Sequence, residues 1–211
     1  MFRARNKLGE APLLLVLPGS RQSEVARLGP IFQQVVARLL LERPDMRVVI
    51  PAAAPVVGAV RRLTQNWKPQ PLILNPLAED VSDPASVKRA AFRAADVALA
   101  ASGTVSLELA SSETPMVIAY DMNWLSRQII GRMVKVDTVT LVNLVSETRA
   151  VPEFIGANCR PGPIADGVLR VLAEPAAQKE AMAVTMERLG QGGEAPGLRA
   201  AKAVLAGMSA A

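Results

Sequence analysis

The sequence predicts an α/β fold, a parallel sheet covered by helices on both faces. Three observations predict it. Short continuous apolar runs such as Leu13-Leu14-Leu15-Val16-Leu17 stop abruptly at turn residues, as strands buried on both faces do. Other stretches carry apolar residues at three- and four-residue steps, the signature of a helix with one buried stripe. The two patterns alternate along the chain, which calls for parallel strands joined by right-handed helical crossovers.

Each element follows from its residues. The first strand is Leu13 to Leu17, closed by Pro18-Gly19-Ser20. A helix over about 23–42 carries Val25, Leu28, Phe32, Val35, Val36 and Leu39 on one stripe, and Pro44 ends it. Met46-Arg47-Val48-Val49-Ile50 reads as the second strand. A helix over about 55–66 has Val56, Val60 and Leu63 on one side, and Pro71-Leu72-Ile73-Leu74 is the third strand. A helix over about 84–95 precedes the fourth strand, Val97-Ala98-Leu99-Ala100. Ser102-Gly103-Thr104 then opens a helix through about Ser111, and Pro115-Met116-Val117-Ile118-Ala119-Tyr120 is the fifth strand. A helix over about 124–134 presents Trp124, Ile129, Ile130 and Met133 as a core face. Residues 139–144 read as extended. Beyond Val151 the chain turns helical and Ala-rich, with pieces near 164–173, 176–189 and 198–208 and no obvious sheet partner. Gly190, Gly192, Gly193, Pro196 and Gly197 form a hinge-like break, so the expected organisation is a domain over 1–189 and a hinge with a terminal helix over 190–211.

Composition narrows the chemistry. The chain has 211 residues, 50% of them hydrophobic and 20% charged, which excludes disorder and collagen-like repeats. Cys159 stands alone, so neither an internal disulfide framework nor a Cys-built zinc site exists. With no His at all, the chain contains no His base, no His metal ligand and no Ser-His-Asp triad. Lys and Arg number 24 against 19 Asp and Glu, a net charge of +5. That excess either serves solubility or favours an anionic ligand: acidic lipid head groups, a nucleotide diphosphate or nucleic acid. Nucleic acid fits least, because the cations are scattered and aromatics make up only 3%. No run approaches the roughly 20 apolar residues of a spanning helix. The charged start at Met1-Phe2-Arg3 leads into no signal-peptide core, so the expected location is cytoplasmic.

In a parallel sheet, ligands bind beyond the carboxyl ends of the strands. Two loops there carry suitable groups. In Leu17-Pro18-Gly19-Ser20-Arg21, Gly19 permits close approach to the backbone, Ser20 offers a hydroxyl, and Arg21 supplies a forked cation matched to phosphate. Helix-start N–H groups add to the attraction for anions. Spacing alone leaves open a plain Pro-Gly turn with a surface Arg. In Ala101-Ser102-Gly103-Thr104, Ser102 or Thr104 can cap the helix, and the amides around Gly103 form an anion-binding nest. Glu108, one turn on, suits a ribose diol or is a solvated helix carboxylate. The pair of loops fits a nucleotide diphosphate. G-x-G-x-x-G after the first strand and G-x-x-x-x-G-K-[ST] are both absent, which disfavours hydride transfer and triphosphate hydrolysis. A third candidate is Asn143 in Leu141-Val142-Asn143-Leu144, a turn former or a ligand contact. Lys135 and Asp137 precede it and either line the same cleft or form a surface ion pair.

These stretches resemble the lipid-A-disaccharide synthase family, bacterial glycosyltransferases of the two-domain GT-B type. The resemblance rests on Leu17-Pro18-Gly19-Ser20-Arg21 with Glu24 close behind, Ala100-Ala101-Ser102-Gly103-Thr104 with Leu107-Glu108, and Thr114-Pro115-Met116-Val117. Val134-Lys135-Val136, Asn143-Leu144 and Val151-Pro152-Glu153 complete it. It extends to the family's carboxyl-terminal half alone, a Rossmann-like donor domain with a helical tail. Asp121 stands after Tyr120 where the family usually has a cation, Val142 stands in place of a usual Pro, and a Gly-Arg pair is replaced around Ser146-Glu147-Thr148-Arg149.

The resemblance implies transfer of 2,3-diacylglucosamine from UDP to 2,3-diacylglucosamine 1-phosphate (lipid X), with no cofactor and no metal. It implies that Gly19, Ser20 and Arg21 face phosphate or sugar, Ser102, Gly103 and Thr104 the diphosphate, Glu108 the ribose, and Asn143 the nucleotide cleft. Catalytic residues are expected on an amino-terminal domain or companion chain, which also carries the acceptor site and the surface facing the anionic inner membrane. The expected location is then peripheral at that membrane, and this chain alone is expected to be inactive. Two alternatives stay open at this point: another UDP-sugar GT-B enzyme, transferase or epimerase, and a non-catalytic module that binds anions or membranes.

Overall fold

A computed structural model describes residues 2–79, 81–121, 138–194 and 196–209. Within them lies a six-stranded, wholly parallel sheet. Its strands are β1 (Leu13–Leu17), β2 (Arg47–Pro51), β3 (Leu72–Leu74), β4 (Val97–Ala101), β5 (Met116–Tyr120) and β6 (Glu153–Ile155). Their spatial order is β3-β2-β1-β4-β5-β6. The chain fills one side of β1 first and then the other, so the order reverses between β1 and β4. That reversal opens a crevice at the carboxyl ends of these two strands.

The unbroken apolar runs have a direct cause. Leu14 and Val16 of β1 enter one core layer, with Val25, Leu28, Phe32 and Val35 of helix α2 (Gln22–Glu42). Leu13, Leu15 and Leu17 enter the opposite layer. There they meet Phe92 of α4 (Pro84–Ala94), Leu109 of α5 (Val105–Ser111) and Met182 of α8 (Ala176–Arg188). A strand covered on both sides has no polar face to alternate with. Helix α2 runs through Pro30, which is exposed on its outer face. Helix α3 (Val57–Thr64) follows a short 3-10 turn at Ala54–Val56.

The amino end of the chain braces the sheet. Phe2 of α1 (Phe2–Arg5) is buried in the second layer. Asp96 Oδ2 accepts from the Leu13 N–H at 2.7 Å and from Arg3 Nη2 at 2.7 Å, and Arg3 Nε donates to the Ala94 carbonyl at 3.0 Å. No helix among the described residues is long and apolar enough to cross a membrane.

Two expectations need correction. Residues 141–146 are not extended: they form α6 (Leu141–Ser146), with Val142, Asn143 and Ser146 buried at helical spacing. The helix is held at its start by Glu153, whose Oε1 accepts from the Val139 N–H at 2.9 Å and the Thr140 N–H at 2.6 Å. An apolar run this short fits strand and helix alike, and a carboxylate 13 residues beyond Thr140 decides between them. The chain beyond Val151 does have a sheet partner: β6 pairs with β5. The helices after it also pack down. Helix α7 (Pro161–Ala173) buries Ile164, Val168 and Val171 in the first layer. Gln178 of α8 accepts from the Met116 N–H at 2.8 Å and donates to its carbonyl at 2.9 Å. The helix expected over 124–134, with Trp124, Ile129, Ile130 and Met133, lies outside the described residues, as do Val134, Lys135, Val136 and Asp137. The last helix, α9 (Pro196–Ser209), leaves Leu198, Val204 and Met208 exposed.

Candidate functional site

The two loops singled out in the sequence leave the sheet side by side. Leu17, the last residue of β1, is in register with Ala100 of β4. Neighbouring strands lie about 4.8 Å apart, so residues 18–21 and 102–104 flank one crevice at the strand-order reversal.

They differ in what they offer. Gly103 has φ +150°, and a Cβ built on it would meet nothing within 4 Å. Among the described residues, the N–H groups of Gly103 and Thr104 find no protein acceptor. Neither Ser102 nor Thr104 caps α5, contrary to expectation. Thr104 is the cap residue but makes no capping bond with its side chain. The Ser106 hydroxyl instead donates to the Gly103 carbonyl at 2.9 Å, which fixes the loop from its carbonyl side and leaves its N–H side open.

The β1 loop is closed on itself. Gly19 has φ +120°, and a Cβ there would stand 2.4 Å from Glu24 Cβ. The close approach that requires glycine is thus made by Glu24 and not left free for a ligand. Glu24 Oε2 accepts from the Ser20 N–H at 2.8 Å and the Arg21 N–H at 3.2 Å, so the two amides that lead into α2 are taken. Its Oε1 accepts from Arg21 Nη1 at 2.9 Å. Partial burial is the largest single influence on this carboxyl and opposes its ionisation. Hydrogen bonds from Ser20 and Arg21, with the Arg21 charge, outweigh that and hold its pKa below the usual value. The Arg21 side chain itself is 77% exposed, and Ser20 is exposed beside it.

Glu108 projects from α5 with its side chain 50% exposed, and its Oε2 accepts from Lys88 Nζ of α4 at 2.7 Å. Lys88 also sits 5.3 Å over the Phe92 ring. Sequence reading missed Lys88, because its link to Glu108 joins two helices through space and only its spacing from Phe92 is visible in the chain. Beside it, a cavity of about 760 Å3 opens between the carboxyl ends of β2 and β3 and the first turns of α4, with Pro51, Arg61, Leu74, Asn75 and Lys88 in its wall.

Asn143 is not in this crevice. It is 0% exposed. Its Oδ1 accepts from the Val151 N–H and its Nδ2 donates to the Val151 carbonyl, both at 2.9 Å, with a further bond to Thr138 Oγ1 at 3.2 Å. Its polar groups are spent on its own chain, and in this structure the side chain has no surface to present to a nucleotide.

Comparison with known proteins decides the lineage. The profile described as lipid-A-disaccharide synthetase matches residues 3–205. The chain belongs to that family. Lipid-A-disaccharide synthase of Ruegeria pomeroyi is 58% identical over 204 residues, covering 97% of this chain and 51% of that protein. The synthase of Rhodospirillum centenum is 41% identical, covering 97% of this chain and 50% of its own length. The chain therefore spans about half the length of the curated relatives it matches, their carboxyl-terminal half. Solved structures agree on the fold. The carboxyl-terminal CMP-Kdo binding domain of WaaA from Acinetobacter baumannii has a TM-score of 0.56 at 13% identity, covering 90% of this chain and 95% of that one. The calicheamicin glycosyltransferase CalG4 has a TM-score of 0.56 at 18% identity, covering 93% of this chain and 43% of that one. Both support a GT-B architecture for this member of the lipid-A-disaccharide synthetase family.

Proposed function

We propose that this chain is the donor-binding half of a lipid-A-disaccharide synthase. The whole enzyme transfers 2,3-diacylglucosamine from UDP to 2,3-diacylglucosamine 1-phosphate, joins the sugars by a β-1,6 bond and releases UDP. The observation that carries the reading is the pairing of two loops at the strand-order reversal, one with open amides and one with an exposed Arg. Amides of Gly103 and Thr104 and the Arg21 guanidinium converge where a diphosphate would gain charge as the leaving group departs. Ser20 and Ser102 add hydroxyl groups at the rim, and Glu108 accepts from the ribose. The acceptor lipid, the acid–base groups and contact with the anionic inner membrane belong to the half of the relatives this chain does not match. Because both substrates are acylated, the whole protein works at the membrane surface.

Titration calorimetry with UDP tests the reading. The chain is expected to bind UDP weakly and to transfer no sugar by itself. Glu108→Ala weakens binding by about 1–3 kcal/mol, the range for a hydrogen bond to a charged group. No heat at millimolar nucleotide would remove the donor-site assignment, and unchanged affinity in the variant would remove Glu108 from it.

A further inference from the structure

Every side-chain hydrogen bond of the β1 loop among the described residues converges on Glu24, a residue the ligand assignments leave out. One oxygen takes the N–H groups of Ser20 and Arg21, and the other takes Arg21 Nη1. Gly19 lies against its Cβ. Two consequences follow for an anionic ligand. The Ser20 and Arg21 amides are withdrawn from it, so at these two residues the loop reaches a diphosphate only through side chains. A carboxylate so near the site would repel an anion, unless its charge is engaged by a cation, as it is here by Arg21.

Arg21 needs that partner. Its guanidinium is mostly in water, on a long side chain with several free torsions. Glu24 lies three residues on, and their pairing fixes one edge of the guanidinium plane. The group has five N–H donors, so one nitrogen held by Glu24 leaves the others for phosphate oxygens. Glu24 is itself seated by the two amides, one turn inside α2, and so transmits the position of the helix start to the Arg side chain.

We infer that Glu24 is a positioning residue for the donor site: it holds Arg21 by one guanidinium nitrogen and turns the remaining donors toward the diphosphate. The inference rests on the nucleotide reading above.

A double-mutant cycle on UDP affinity tests it, with Arg21→Ala, Glu24→Ala and the two together, alongside Glu24→Gln. Glu24→Ala is expected to weaken UDP binding about ten-fold and Arg21→Ala by at least as much, with the double variant no weaker than Arg21→Ala alone, because Glu24 acts through Arg21. Glu24→Gln keeps an acceptor for the Ser20 and Arg21 amides and loses the ion pair. Its affinity falls between wild type and Glu24→Ala, and so does its melting temperature at neutral pH, where the ionised carboxylate contributes stability. Losses that multiply in the double variant, or a Glu24→Ala chain that binds UDP as well as or better than wild type, would overturn the inference. The wild-type titration reads the nucleotide assignment separately: absence of binding there overturns both.

Discussion

Asn143 and Val151 close a ring of two hydrogen bonds, each 2.9 Å, across eight residues of chain. Removing the amide leaves a buried N–H and a buried carbonyl without partners, at about 1–3 kcal/mol for each group left unsatisfied. Asn143→Ala is therefore expected to cost about 2–4 kcal/mol in urea unfolding and to leave UDP affinity of the folded chain unchanged. Loss of affinity at unchanged stability would return Asn143 to the cleft. Its partner lies on a segment whose path depends on the rest of the fold, so spacing in the sequence left both turn former and ligand contact open. Glu24 makes a second residue-scale case. Its pKa is lowered on folding from the usual 4.5, so ionised Glu24 contributes stability above about that pH. The contribution is lost as the pH falls through the folded-state value. Wild type should lose melting temperature more steeply than Glu24→Gln between about pH 5 and pH 3, where the variant has no proton to take up. Parallel acid limbs in the two proteins would show that the cap carries no linked charge.

At the scale of elements, legibility follows length and burial. Strands β1, β2, β4 and β5 were readable because both faces are buried and turn residues bound them. β6 was not, since Glu153-Phe154-Ile155 is three residues long and begins with a carboxylate facing α6. Its place depends on Gly167, which nothing in the sequence marks as special. A Cβ at Gly167 would stand 2.8 Å from the Phe154 ring, so the missing side chain is what lets α7 press β6 into the sheet. Gly167→Ala is expected to destabilise the chain by about 1–3 kcal/mol through overpacking, offset in part by better helix propensity. Denaturant unfolding measures it, and Phe154→Leu in the same background should relieve part of the loss. A neutral Gly167→Ala would mean the ring moves aside freely.

For the whole molecule, alternating strands and helices gave the fold class but not the strand order, because each crossover can turn to either side of the sheet. That order sets Leu17 beside Ala100 and so makes one crevice of two loops more than 80 residues apart. The tail poses the converse question, which elements the crevice can do without. Helices α7 and α8 are built into the core, α8 through both hydrogen-bonding groups of Met116. Helix α9 is held locally: Arg199 Nη2 donates to the Leu189 carbonyl at 2.6 Å, and Lys202 pairs with Glu194. Its apolar residues Leu198, Val204 and Met208 add nothing to either core layer. A chain ending after Leu189 should melt within roughly 2 °C of the full chain, the shift about 1 kcal/mol produces at this size. It should also bind UDP within about two-fold of the full chain, since among the described residues no group assigned to the crevice lies in the removed segment. Limited subtilisin digestion should cut first within the exposed stretch 191–194 and leave a fragment that still binds UDP. A large fall in melting temperature or affinity on truncation would instead make α9 part of the folded unit that carries the site.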